Sequence, residues 1–144
     1  MGEGFIFLAL FLIIGLVVAG EIMRRRHWLK FSSRGNMIPK WRARFPDASY
    51  ADIRDFLQDV SNAFSLTGKH GMYVFTPDDK IKDVYQSVRI PSDEDDHGLE
   101  RLAMLVRKKH GVAVYSLQDT DITLGKLFEM IRFKKRQNAN TTGF

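Results

Sequence analysis

The sequence predicts a mainly α protein in which a single N-terminal transmembrane helix carries a small helical bundle. Three features lead there. Residues 5–20, FIFLALFLIIGLVVAG, are sixteen uncharged side chains in a row, with Arg24, Arg25 and Arg26 close behind. Further along, three stretches repeat apolar residues at the spacing of a helix face. Capping residues, Ser49 before the first stretch and Gly111 after the second, mark helix ends. The expected organisation is an anchor over 1–23, a basic interfacial linker over 24–47, a helical domain over 48–134 and a disordered tail over 135–144.

The anchor is argued from length and flanks. About 20 apolar residues cross a bilayer as a helix, with a working range of about 17–25. Counting Gly4, Ile22 and Met23, this segment reaches the lower part of that range. A helix satisfies its own backbone donors and acceptors in hydrocarbon. A signal peptide places positive charge before its apolar run, whereas Glu3 is the charged residue here, and Val18-Ala19-Gly20 is a poor cleavage site. Lys and Arg beside a span stay cytoplasmic. Residues 21–50 hold eight Lys/Arg against Glu21 and Asp47, and the N-terminal flank holds none. The expectation is a single pass through a bacterial-type inner membrane, N-terminus outside and residues 24–144 in the cytoplasm.

About 120 residues remain beyond the anchor, enough for one small domain with a single core. The chain carries a formal charge of +5, with positive charge gathered at 24–44 and 126–136 and acids at 76–96. A basic collar beside a span is attracted to anionic lipid. Cysteine is absent, which excludes disulfides, thiolate nucleophiles and zinc–thiolate sites.

In the linker, Trp28, Phe31, Trp41 and Phe45 interleave with Lys30, Arg34, Lys40, Arg42 and Arg44, while Ser32-Ser33, Gly35 and Pro39 break any long helix. Such a mixture binds single-stranded nucleic acid when rings stack on bases. Directly after a span it also suits the headgroup layer. Position favours the second reading, with Arg24, Arg25, Arg26, Trp28, Lys30 and Trp41 at the membrane interface.

Ser49 and Asp52 form an acidic variant of the capping box. Ile53, Phe56, Leu57, Val60 and Phe64 then make a core stripe that Gly68 and Gly71 terminate. Residues 72–85 have a looser pattern around a turn at Thr76-Pro77-Asp78-Asp79. Asp78, Asp79 and Asp83 lack the alternate ligands, turn glycine and distal Glu of a calcium loop, and read as a solvated turn. Asp93, Glu94, Asp95 and Asp96 lead into the next helix, whose stripe is Leu99, Leu102, Ala103 and Val106. Acids at its start and Arg107, Lys108, Lys109 and His110 at its end complement the helix dipole. Gly111 suits a left-handed cap, and Val112-Ala113-Val114 is a short extended piece. The last helix buries Leu124, Leu127, Phe128 and Ile131, and the tail QNANTTGF has the composition of a frayed end.

Taken in order, Ser49–Leu66, the loop Pro77–Val84, His97–His110 with Gly111–Val114, and the entry Asp121–Leu127 resemble an acyl carrier protein over about residues 49–133. The resemblance implies a carrier-like helical bundle. Counting back from Gly111 puts Asp95-Asp96 where that family has Asp-Ser, so Asp96 stands at the motif-equivalent position. An Asp carboxylate cannot become the family's phosphodiester to phosphopantetheine. Ser92 is four residues early and lacks a following Leu. Arg101, Arg107, Lys108 and Lys109 make the second helix basic where the family's is acidic. What the resemblance implies is a non-acylated interaction module, with no cofactor.

A nucleophile needs a base in reach and a group orienting that base. His27, His70, His97 and His110 are scattered, and His97 beside Asp95 and Asp96 reads as a charged helix start. No residue is nominated as catalytic, cofactor-binding or metal-ligating. The expected partners are membrane lipid and another protein, met through Asp93–Asp96 or Arg107–Lys109. The alternatives are a membrane-tethered nucleic-acid or anionic-lipid binder and an atypical acyl carrier using another serine.

Overall fold

The computed structural model describes residues 3–66, 71–88, 97–115, 117 and 121–142. Six α-helices appear among them: α1 (Glu3–Ser32), α2 (Ile38–Arg44), α3 (Tyr50–Ala63), α4 (Ile81–Val88), α5 (Gly98–His110) and α6 (Leu124–Thr141). A 3-10 turn at Met72–Val74 lies between α3 and α4. No strand forms among the described residues; one isolated bridge pairs Lys80 with Thr123.

α1 has thirty residues and so runs about 45 Å. Its first two-thirds is apolar on every side, with Phe5 at 78% and Phe11 at 77% exposure, and it is long and apolar enough to cross a membrane. Its last turns behave differently. Phe31 is 2% exposed and Trp28 packs against the core. One uninterrupted helix therefore passes from an unpacked apolar rod into the bundle.

This revises the linker expected over 24–47. The chain is helical to Ser32, turns at Gly35 in the left-handed region (φ +72°), and enters α2 with Pro39 in the first turn, where proline costs no helical hydrogen bond. Trp28 and Phe31, then Ile38, Trp41 and Phe45, stand three or four residues apart within each segment. Together they present core stripes whose intervening cations face outward.

Trp41 is the centre of that core. It is fully buried, with the rings of Phe45, Phe56 and Phe128 at 6.0, 5.7 and 5.6 Å. α3 begins as expected: Ser49 Oγ accepts from the Asp52 N–H at 3.0 Å. It ends at Ala63, earlier than the stripe suggested, with Ser65 at positive φ. α5 closes on Gly111 in the left-handed conformation (φ +67°), and α6 opens on Thr123, whose hydroxyl accepts from the Lys126 N–H. His97 stands at the N-cap position of α5 without a side-chain cap bond, and its Nδ1 lies 3.3 Å from Glu100.

Two further expectations are corrected. Residues 81–88 are helix, because Ile81 and Val84 are buried and Tyr85 and Val88 pack beside them on one face. The tail is helical to Thr141: Arg132 and Arg136 pair with Asp47, Lys135 with Asp52, and the hydroxyls of Thr141 and Thr142 donate to the carbonyls of Gln137 and Asn138.

Candidate functional site

α3, the end of α5 and the second half of α6 enclose a cleft of about 750 Å³. Its back wall is Phe56, Phe128 and Ile131, and its mouth carries Asp52, Asp55, Lys109, His110, Arg132, Lys135 and Arg136. Helical spacing assembles it. Asp52, Asp55 and Phe56 share a face of α3, while Phe128, Arg132, Lys135 and Ala139 recur every three or four residues of α6.

Behind the mouth lies Asp59, 6% exposed in the middle of α3. A buried carboxylate is tolerated only when its charge is met. Here Lys109 Nζ donates to both oxygens at 2.7 and 2.9 Å, and His110 Nε2 lies 3.2 Å from Oδ2. Lys109 and His110 both come from the last turn of α5, so their contacts with Asp59 fasten the C-terminus of α5 to α3.

The other wall is an exposed ion-pair set. Asp47 accepts from Arg132 at 2.8 and 3.2 Å and from Arg136 at 2.6 Å. The Arg132 hydrogen bond is the main reason the Asp47 carboxyl is lowered to about 2, with Arg136 adding to it. Lys135, then Ser49, lowers Asp52 in the same way. Arg132 is itself held over the rings of Phe45 and Phe128, at 5.9 and 5.8 Å.

The lining of the cleft has no hydroxyl or thiol, and its lysines face carboxylates, Lys109 on Asp59 and Lys135 on Asp52. Among the described residues no group of three His, Cys, Asp or Glu side chains could hold a metal ion.

The residues nominated from sequence are dispersed. Lys109 is part of the Asp59 pair, while Arg107 and Lys108 are exposed on α5. Ser92, Asp93, Glu94, Asp95 and Asp96 lie outside the described residues, as does the side chain of Arg24. Arg25 meets Glu21 at 3.4 Å, Arg26 and Lys30 are exposed, and Trp28 is half-buried against Phe75. Trp41 is corrected outright: an indole fully buried among three phenylalanine rings cannot sit in a headgroup layer. Asp79, read as part of a solvated turn, is also corrected. Arg34 binds both its oxygens at 2.8 and 2.7 Å, and its Oδ2 accepts from the Thr76 N–H at 2.7 Å.

Sequence reasoning missed Asp59 and Asp47. Asp59 sits beside Val60 of the apolar stripe, a signal that was present; nothing local marks Asp47 as the acceptor for α6. No protein-family model, curated protein or solved structure matches the chain.

Proposed function

We propose that this protein is a membrane-anchored interaction module, its helical bundle fused rigidly to the anchor and held at the cytoplasmic face of a bacterial-type inner membrane. The observation that carries this reading is the continuity of α1, from Phe5 at 78% exposure to Phe31 at 2%. Its apolar surface runs around the whole circumference, which suits lipid on all sides better than one partner helix. The eight Lys/Arg within 21–50 support the inward orientation. The cleft, with its charges paired on neighbouring side chains, is read as a recognition surface.

The bundle is proposed to be carrier-like without an acyl arm, because Asp96 occupies the motif-equivalent position. Co-expression with a broad phosphopantetheinyl transferase should leave the intact mass unchanged; an arm-sized addition overturns this part. The anchor is tested by extracting membranes with high salt and alkaline carbonate. The full chain is expected to stay with the bilayer, and its release would sink the proposal. In sealed inverted vesicles a C-terminal tag should be open to protease.

A further inference from the structure

α2 carries three exposed cations, set on either side of its buried stripe. Ile38 and Trp41 turn into the core, leaving Lys40, Arg42 and Arg44 exposed. Arg26 and Lys30 of α1 are exposed too. Among the described residues Arg26, Lys30, Lys40 and Arg42 form no ion pair, and Arg44 reaches only the exposed Asp78 at 3.8 Å. Glu21 and Asp79 are already engaged by Arg25 and Arg34.

Tertiary contacts made by the buried side of α2 place that helix beside the base of α1. The Phe75 ring packs on Trp28 and Phe31 at 6.5 and 5.5 Å, and the Phe75 carbonyl accepts from Trp41 Nε1 at 2.8 Å. One residue thus clamps the middle of α2 to the last turns of α1. At about 1.5 Å per residue, Trp28 and Phe31 stand only ~3 and ~7.5 Å along the axis beyond Arg26. The clamp on α2 therefore meets α1 within about two turns of Arg26.

The side-chain directions also choose between polyanions. Stacking on bases needs exposed rings. Trp41 and Phe45 both face the core, so the exposed surface of α2 offers charge without aromatic faces. We propose that α2 and the base of α1 form one docking surface for anionic phospholipid headgroups, which holds the bundle against the bilayer. This rests on α1 being the anchor. Each engaged cation strengthens the contact about fivefold.

The test uses the full chain in nanodiscs of phosphatidylcholine alone or mixed with phosphatidylglycerol, reading the rate at which a water-soluble amine reagent modifies Lys40. Phosphatidylglycerol should slow modification about fivefold or more. High salt should abolish the difference, as should Arg42→Glu combined with Arg44→Glu. Equal rates in both lipids, with the chain incorporated in both, overturn the docking surface and leave the anchor intact. Failure to incorporate into either disc overturns the anchor. Slowing by an added oligonucleotide but not by phosphatidylglycerol assigns the face to nucleic acid and overturns the proposal.

Discussion

The Gly125 N–H donates to the Pro77 carbonyl at 2.8 Å, and a methyl group at Gly125 would stand 2.8 Å from that same oxygen and 2.9 Å from the proline Cβ. The start of α6 is pressed against the turn before α4, and neighbouring backbone bonds from Leu124 to Asp79 and from Ile81 to Ile122 complete the seam. Gly125→Ala has to push backbone aside and should cost about 1–3 kcal/mol, read as a lower urea midpoint of the full chain in detergent. Gly98→Ala meets the Tyr85 and Phe64 rings, which can rotate, and should cost less.

The Trp41 indole joins residues 34 positions apart. Trp41→Phe keeps most of the ring volume but leaves the buried Phe75 carbonyl without its donor, an expected loss of about 1–3 kcal/mol. Trp41→Ala opens a cavity among Phe45, Phe56 and Phe128 and should cost about 3–5 kcal/mol. Trp41 should also resist a polar fluorescence quencher that reaches Trp28.

Removing either partner of the Asp59–Lys109 pair is not symmetrical. Lys109 is half exposed, so in Asp59→Asn its ammonium turns to water at little cost. In Lys109→Met a carboxylate remains buried with His110 alone, and the loss should reach about 1–3 kcal/mol. Denaturation of both single variants and the double variant gives the coupling energy. An equal loss from both single variants would contradict this account.

Asp47 supplies a prediction in pH. Its carboxyl is lowered to about 2, first by the Arg132 hydrogen bond, so its contribution to stability is fully present above the unfolded value of about 3.9. That contribution is lost as pH falls through about 2. A carboxyl-carbon NMR titration should place the Asp47 midpoint near 2, and Arg132→Gln should raise it toward about 3.9. Being exposed, the pair should weaken with added salt.

Legibility differed among the elements for a physical reason. Ser49 and Gly111 were readable as helix boundaries because a cap is a contact within a few residues. Ile53 to Val60, Leu99 to Val106 and Leu124 to Ile131 were readable as core because their periodicity spans several turns. α4 has only eight residues, too few for its period to stand out beside the turn that precedes it. The cleft was invisible because its walls come from helices far apart in the chain: Arg132 lies 85 residues from Asp47, and Lys109 lies 50 from Asp59.

By itself, then, the order of residues determined an apolar N-terminal helix, the main helices of the bundle and the caps at Ser49 and Gly111, all set by nearest-neighbour chemistry. Only the tertiary structure decided what Trp28, Phe31, Trp41 and Phe45 do. An aromatic residue among cations has the same local pattern whether it faces lipid or protein. The choice fell to Phe75, distant in sequence, which supplies a ring for Trp28 and Phe31 and a carbonyl for Trp41.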